Sequence, residues 1–186
     1  WHGYPTVGID VTIDKFIDVL ANHWAANSIG RLADKGIVNG YSDGTYRPNN
    51  KITREEAAAI IVKAVGLKTK GMVSDFLDVP ENSWSSSSIA AAQEAGIING
   101  YADGTFRPEA KVSREEVAAM VTKAFKLKLK SGATKFKDVP AKSWSKRSID
   151  ILTSNNIVNG YSDGTFRPKN QITRAEFAVF ISKALK

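Results

Sequence analysis

The sequence contains no cysteine, and its only histidines are His2 and His23. Without cysteine the chain forms neither disulfides nor thiolate metal sites, a composition that suits an exposed extracellular protein. Long apolar runs are also missing, since the longest, residues 57–62, is far below the roughly 18 residues that cross a bilayer. We therefore expect no membrane insertion. A hydrophobic content of 42% is still ordinary for a globular chain with a real core.

The chain also lacks the residues that three kinds of catalytic or metal site require. A Ser/His/Asp triad is excluded because neither histidine recurs in the repeats described below. The fragment from Asn39 to Gly44 resembles part of a calcium loop, but Asn50 stands where such a loop needs glutamate. No acidic residue is placed so as to suggest the paired carboxylates of a glycoside hydrolase. We expect no catalysis, no metal and no cofactor.

Acidic residues are fewer than basic ones, which gives a formal net charge of +7. This favours an anionic partner without identifying it. Nucleic acid is one alternative, but the lysines are spread over linkers rather than gathered on one helix. The chain begins at Trp1 with no leader, so we expect a mature product or a fragment, with residues 1–15 as an N-terminal linker or tail.

A stretch of the type Asn-Gly-Tyr-x-Asp-Gly-Thr-(Tyr/Phe)-Arg-Pro occurs three times, beginning at Asn39, Asn99 and Asn159. Each copy lies 60 residues after the last, and the tryptophans at 24, 84 and 144 keep the same spacing. One structural unit is therefore used three times. We assign the units to residues 16–70, 71–130 and 131–186. Because each is small and the links between them are short, we expect them to share one compact body.

Each unit is predicted to contain two helices. The first should begin near the tryptophan, capped by Ser83 or Ser143 and less well by His23, and should end at Gly36, Gly96 or Asn156. In the first unit Trp24, Ile29, Leu32 and Ala33 should share one face of this helix.

The second helix has the clearer signals. Thr53, Ser113 and Thr173 are predicted N-caps, and the glutamates three residues later, Glu56, Glu116 and Glu176, complete capping boxes. Apolar residues then recur at helical spacing in all three copies. Since these three stripes can only be buried against one another, we predict an all-α fold. It comprises three helix–loop–helix repeats in one pseudo-threefold unit around a central three-helix bundle.

An arginine follows each N-cap, at the first position of the second helix: Arg54, Arg114 and Arg174. The helix dipole disfavours a cation there by a few tenths to about 1 kcal/mol. Recurrence of arginine therefore indicates use by a ligand, since a guanidinium beside free helix N–H groups makes a carboxylate or phosphate site. The structural alternative is an ion pair within the fold, for example with the aspartate of the Asp-Gly turn.

Four further sets of recurring residues are candidates for ligand binding. The tryptophans could stack on a sugar or belong to the core, and the sequence does not separate these two. The tyrosines could donate a hydrogen bond, the glycines could admit a ligand close to the backbone, and the serines are plausible polar contacts. The sets are Trp24, Trp84 and Trp144; Tyr41, Tyr101 and Tyr161; Gly40, Gly100 and Gly160; and Ser28, Ser88 and Ser148.

These motifs, in this order and spacing, resemble three tandem S-layer homology (SLH) repeats. The resemblance rests on Phe-x-Asp-Val, the tryptophan, Gly-Ile-x-x-Gly, the Tyr-x-Asp-Gly-Thr stretch and Thr-Arg-Ala-Glu, and it covers residues 16–186. It implies a secreted, monomeric module that anchors a surface protein to the wall or S-layer of a Gram-positive-type bacterium. The implied ligand is an acidic secondary cell-wall polysaccharide bearing a pyruvylated amino sugar, held in grooves between repeats.

The family arginine corresponds to Arg54, Arg114 and Arg174, whose implied partner is the ketal carboxylate. Glu55 and Glu115 depart from the Thr-Arg-Ala-Glu pattern and add a negative charge beside the arginine in the first two units. The three grooves are therefore not expected to bind equally. A module that contacts other proteins of a surface lattice remains the alternative function.

Overall fold

The computed structural model describes residues 15–185, so the predictions made for residues 1–14 lie outside it. All regular elements within this range are helices, which confirms the all-α prediction. They are α1 Ala26–Asp34, α2 Arg54–Val65, α3 Ser86–Glu94, α4 Arg114–Ala124, α5 Lys146–Ser154 and α6 Arg174–Ala184. Between residues 15 and 185, no helix is long and apolar enough to cross a membrane.

The predicted capping boxes are present at α2, α4 and α6. At α2 the Thr53 hydroxyl accepts a hydrogen bond from the Glu56 N–H, and the Glu56 carboxylate accepts one from the Thr53 N–H. The apolar residue before each cap is fully buried: Ile52, Val112 and Ile172. Sequence alone therefore located the start of these helices to the residue.

The first helix of each unit starts later than predicted. Its N-caps are Ala25, Ser85 and Ser145, none of which makes a side-chain capping bond. Ser83 and Ser143 instead lie in turns that precede the helix, where their N–H groups donate to the carbonyls of Pro80 and Pro140. The prediction that they cap the helix was wrong, because the chain is still turning after each proline.

The ends of these helices follow the prediction. Gly36, Gly96 and Asn156 all have positive φ, between 59° and 73°. At the first of them the N–H of Gly36 donates to Ala33 and that of Ile37 donates to Leu32. This pair of bonds is the Schellman arrangement, which satisfies the last carbonyls of a helix.

The helices α2, α4 and α6 contact one another and form the centre of the molecule. Each outer helix packs on a central helix that belongs to another repeat: α3 on α2, α5 on α4, and α1 on α6. Fully buried side chains such as Ile61, Val121 and Ile181 fill the centre. Every repeat is thus completed by a neighbour, and buried residues of all three central helices belong to one hydrophobic core.

Main-chain pairing links the repeats in the same cyclic order. Antiparallel bridges join Thr53 to Lys111, Ser113 to Gln171, and Lys51 to Thr173. We call the contacts of repeat 1 with repeat 2 and of repeat 2 with repeat 3 the sequential interfaces. The contact of repeat 3 with repeat 1, which joins α6 to α1, is the closing interface.

The Asp-Gly stretch forms a tight turn, in which the Gly44 N–H donates to Tyr41 O, and the residue that leaves the turn is not extended. Arg47, Arg107 and Arg167 take the left-handed region at φ of 57–58°, although a residue before proline usually stays extended. The Asp18 carboxylate accepts the N–H groups of Tyr46 and Arg47, both at 2.8 Å. Asp78 and Asp138 repeat this contact, so a charged acceptor stabilises the unusual backbone.

Candidate functional site

The three arginines after the N-caps are buried, with only 4–5% of each residue exposed. Each reaches into a neighbouring repeat. The Nε–H of Arg54 donates to Phe106 O, that of Arg114 to Phe166 O, and that of Arg174 to Tyr46 O, over 2.8–2.9 Å. The arginines therefore join repeats, across both sequential interfaces and the closing one.

Each guanidinium also forms an ion pair with the capping-box glutamate of that neighbouring repeat. Arg54 pairs with Glu116 at 3.2 Å, Arg114 with Glu176 at 2.8 Å, and Arg174 with Glu56. The structural alternative considered for these arginines is thus realised, but with a different acid. The turn aspartates pair instead with exposed arginines of their own turn, as Asp43 does with Arg47.

The helix N–H groups beside these arginines are already used. In α2 the N–H of Arg54 donates to Ala110 O and that of Glu55 donates to Pro108 O, at 2.9 and 3.0 Å. The Glu56 N–H is taken by Thr53. The expectation of free N–H groups at this terminus was wrong, because the adjacent repeat supplies carbonyls to them. Ligand contact by the arginines stays a prediction, which now rests on the guanidinium alone.

The tryptophans lie on the surface, which answers the question that the sequence left open. Trp24, Trp84 and Trp144 are 65%, 64% and 63% exposed. They sit in the turn just before the outer helices, so Trp24 does not share the buried face of Ile29 and Leu32. An exposed indole repeated three times is available for stacking and is not part of the core.

A groove of about 720 Å³ runs along α2 between the first two repeats; we call it groove A. Trp84 contributes to one wall, Gly40 and Tyr41 contribute to another, and Arg174 from the third repeat also lines it. Its charged lining consists of Lys63, Lys111, Glu55, Glu56 and Glu109, in addition to Arg174. All three repeats therefore contribute to one site.

The tyrosine in this groove lies close to two guanidinium groups. The Arg47 guanidinium carbon is 3.6 Å from the centre of the Tyr41 ring, and that of Arg174 is 4.9 Å from it. The Tyr41 hydroxyl donates to Glu56 at 3.4 Å. Tyr101 and Tyr161 have equivalent neighbours, one arginine of their own repeat, Arg107 or Arg167, and one of the preceding repeat, Arg54 or Arg114. Cation–π contact on this scale stabilises the ring position.

The recurring glycines have a reason within the fold. A Cβ on Gly40 would lie 2.4 Å from the Phe16 ring and 2.8 Å from Thr45 O. Gly100 and Gly160 would meet Phe76 and Phe136 in the same way. Close packing of the aromatic residue therefore excludes any side chain there. The lining of groove A includes Gly40, so its predicted contact with a ligand is still open.

The serines on the outer helices are half-buried, and Ser88 is not among the residues that line groove A. The groove contains charges that the sequence predictions did not single out, above all Lys63 and Lys111. A usable signal existed for the first of these, because Lys63, Lys123 and Lys183 recur at the 60-residue spacing. Asp18 recurs at the same spacing as Asp78 and Asp138, and the sequence predictions did not identify its hydrogen bonds to the loop either.

The pKa values of the three turn aspartates are lowered, so the charged carboxylate is favoured at each. Hydrogen bonds from the Thr45 side chain and backbone lower the pKa of Asp43 below its usual value, and Asp103 and Asp163 behave alike with Thr105 and Thr165. Within residues 15–185 no group of His, Cys, Asp and Glu side chains could hold a metal ion. The site that remains is a groove with a stacking surface and charged walls.

Comparison with known families gives a match to the S-layer homology domain at residues 15–58, 75–118 and 135–178. The chain belongs to the S-layer homology family. Each of the three matches covers the outer helix, the loop and the first five residues of the central helix of one repeat. The matched residues include the three arginines and their glutamate partners and part of the lining of groove A, whereas Lys63 lies outside them.

Several characterised proteins are similar to this chain. An S-layer protein of Bacillus thuringiensis subsp. finitimus is 37% identical over 92% of this chain and 21% of its own length. A cellulosome-anchoring protein of Acetivibrio thermocellus is 33% identical over 81% of this chain and 35% of its own length. An amylopullulanase of Thermoanaerobacterium thermosulfurigenes is 35% identical, over 9% of its length. The chain therefore spans about a fifth of the S-layer protein and less of the enzyme.

Proposed function

We propose that this SLH module attaches a surface protein non-covalently to the bacterial cell wall by binding an acidic, pyruvylated secondary cell-wall polysaccharide in the grooves between repeats. Support for attachment comes from the kinds of protein that share the module. The relatives carry different names, an S-layer protein, a cellulosome-anchoring protein and an amylopullulanase, and this chain matches 21%, 35% and 9% of their lengths. A shared anchoring function is the simplest reason for one module to accompany such different proteins.

The observation that carries the proposal is the exposed Trp84 in the wall of a charged groove. A carbohydrate offers C–H faces to an indole, and an indole that is 64% exposed gains by being covered. The exposed ammonium groups of Lys63 and Lys111 lie in the same groove and suit an acidic sugar. The groove therefore combines a stacking surface with cations, as an anionic glycan requires.

The buried arginine has a defined part in this proposal. Arg174 donates to Tyr46 O through Nε and to Glu56 through Nη1, so these contacts use two of its five N–H donors. It holds Glu56 and Tyr41 in place and keeps a positive charge at the base of the groove. A ketal carboxylate can bond to its remaining N–H donors, and the exposed lysines make the solvent-facing contacts. Arg54 and Arg114 act in the same way at the other two grooves.

Several weak sites on one glycan layer would add up. A hydrogen bond to a charged group contributes about 1.5–3 kcal/mol, so a single groove need not bind tightly. Engagement of two or three grooves by one polysaccharide layer raises the overall affinity by roughly 10²- to 10⁴-fold. We therefore expect the complete module to stay bound to isolated cell walls, even if a short fragment of the polysaccharide dissociates rapidly from a single groove.

The decisive experiment is binding of the module to isolated wall polysaccharide before and after removal of the pyruvyl ketals. Binding should fall at least tenfold after removal, and Lys63→Gln should weaken the share of binding to the intact glycan that groove A contributes. Lys128→Gln is the matched control, because Lys128 is exposed and lies outside groove A. Unchanged binding after ketal removal would refute recognition of the carboxylate. Self-association without glycan, seen by sedimentation, would favour a lattice contact instead.

A further inference from the structure

The residue after each buried arginine differs among the three repeats, and its neighbour differs with it. Glu55 accepts a hydrogen bond from the Ser85 hydroxyl at 2.9 Å, and Glu115 accepts one from Ser145 at 2.8 Å. These are the two sequential interfaces. At the corresponding positions of the closing interface the residues are Ala175 and Ala25, both fully buried. A carboxylate–hydroxyl pair is therefore replaced there by two methyl groups.

This replacement changes the charge of the surface along α6 that corresponds to groove A by the 60-residue repeat, which we call groove C. By the 60-residue correspondence, the lysines equivalent to Lys63 and Lys111 are Lys183 and Lys51, and both are exposed. The bridge of Lys51 to Thr173 confirms that Lys51 lies beside the start of α6. Ala175 and Asn49 take the places of Glu55 and Glu109. Groove C thus keeps the lysines and loses two of the three acids.

The three grooves form a series in charge. Groove A has three cations and three carboxylates in its lining, which cancel. By the same correspondence, groove B along α4 has Lys123, Lys169 and Arg54 against Glu115 and Glu116, a balance of one positive charge. Groove C has Lys51, Lys183 and Arg114 against Glu176 alone, a balance of two positive charges. Among the described residues that correspond to the lining of groove A, the carboxylate that groove C retains is Glu176, which is paired to Arg114 at 2.8 Å.

The stacking surface does not vary in the same way. The three tryptophans differ by no more than two percentage points in exposure. Trp24 of groove C has one additional support, since its ring stacks on His23 with 5.4 Å between ring centres, where the other repeats have serine. A ring held in place loses less freedom on binding a sugar. Charge and a supported indole both favour the same groove.

We propose that groove C, closed by the first and last repeats, is the principal site for the anionic polysaccharide, and that groove A is the weakest. This inference rests on the proposed function and ranks its sites. One unit of charge on an exposed side chain of a groove changes the affinity of that groove for an anion by roughly threefold at low salt. Two charges therefore separate groove C from groove A by about tenfold, and the separation should shrink as salt rises.

The test uses a short, monovalent fragment of the wall polysaccharide and three matched variants of the complete chain, Trp24→Ala, Trp84→Ala and Trp144→Ala. Because all three indoles are exposed, none of these changes should unfold the protein. Trp24→Ala should lower the overall affinity most, by about threefold, because groove B remains and has one positive charge fewer than groove C. Trp84→Ala should lower it by less than about twofold. A loss for Trp84→Ala that equals or exceeds the loss for Trp24→Ala would overturn the ranking.

Exchange of the interface pairs tests the cause. The double variant Ala25→Ser with Ala175→Glu introduces the sequential pair into groove C and should weaken binding about threefold. The reverse change, Ser85→Ala with Glu55→Ala, should strengthen groove A by a similar factor, which is measurable in the Trp24→Ala background. No change in either variant overturns the ranking by charge. If the unaltered chain did not bind the glycan at all, the proposed function itself would be refuted.

Discussion

The two sequential interfaces and the closing interface share one backbone and differ in their side chains. All three contain the arginine that crosses to the next repeat and the antiparallel bridge beside it. The sequential interfaces add a Glu–Ser pair and a phenylalanine, Phe106 or Phe166. The closing interface has two alanines and Tyr46 in those places. The arginine contact and the bridge are therefore common to all three interfaces, whereas the Glu–Ser or Ala–Ala pair and the aromatic residue differ between them.

The closing interface also carries a contact that the sequential ones lack. Arg31 of α1 donates to the Ser182 hydroxyl at 3.2 Å and to Leu185 O at 3.3 Å, at the C-terminal end of α6. Ala91 and Ile151 occupy the equivalent positions on α3 and α5. A cation at the end of a helix is favoured by the helix dipole. Polar contacts thus connect α1 and α6, the first and last helices of the described chain, whose repeats are not consecutive in the sequence.

The largest expected effect concerns what the interfaces share. Replacement of Arg54, Arg114 or Arg174 by alanine leaves a glutamate without its partner and a buried carbonyl without its donor. Each change should lower the free energy of unfolding by about 3–5 kcal/mol, measured by urea denaturation. The three losses should agree within about 1 kcal/mol.

Arg147→Ala is the control for these three variants, because Arg147 is an exposed arginine on α5. Its effect should stay within about 0.5 kcal/mol. A much smaller loss for Arg174→Ala than for Arg54→Ala would mean that the closing interface contributes little in solution. In that case the three contacts would not be equivalent.

The second prediction exploits Tyr46, whose hydroxyl donates to Arg174 O across the closing interface. Burial raises the pKa of Tyr46 to about 12, against an ordinary value of 10.0. The folded state therefore favours the neutral phenol. Its contribution is complete below pH 10 and is lost as the pH rises towards 12, which amounts to on the order of 2–3 kcal/mol.

Urea midpoints measured from pH 8 to 12 check this expectation. Tyr46→Phe should flatten the alkaline loss, and it is a well-matched change because Phe106 and Phe166 already occupy the same position in the other repeats. Tyr41→Phe serves as the comparison for a less buried phenol in the same repeat. If Tyr46→Phe leaves the alkaline profile unchanged, ionisation at the closing interface does not control stability.

Most of the fold could be predicted because the signals are local. The capping boxes place α2, α4 and α6, and the left-handed residues Gly36, Gly96 and Asn156 end the outer helices. The start of the outer helices was misplaced, since Ser83 and Ser143 have good cap chemistry but lie in turns that follow proline. The N-cap preference of a serine does not indicate where the turn before the helix ends.

The site was harder to predict because its partners come from other repeats. Recurrence at 60 residues identified Arg54, Trp84 and Tyr41 as candidates, and all three prove to lie at repeat boundaries. It did not show that the arginine would be buried against Glu116, which is 62 residues away. Likewise, nothing local indicates that Ser85 would bond to Glu55. Such pairings depend on which helix packs on which, and that is a property of the assembled molecule.

The smallest expected effect concerns the pairs that distinguish the interfaces. Ser85→Ala and Ser145→Ala each remove one hydrogen bond to a half-buried carboxylate, so each should lower the free energy of unfolding by about 1 kcal/mol. The double variants Ser85→Ala with Glu55→Ala, and Ser145→Ala with Glu115→Ala, recreate the alanine pair of the closing interface and should recover most of that loss. Urea denaturation of the single and double variants gives the coupling energy directly. Because Ala25 and Ala175 pack with no exposed surface, recovery is expected at both sequential interfaces. Additive losses in the double variants would show that the alanine pair is not an equivalent solution there, and that the side chains of each interface are fixed by more than their immediate partner.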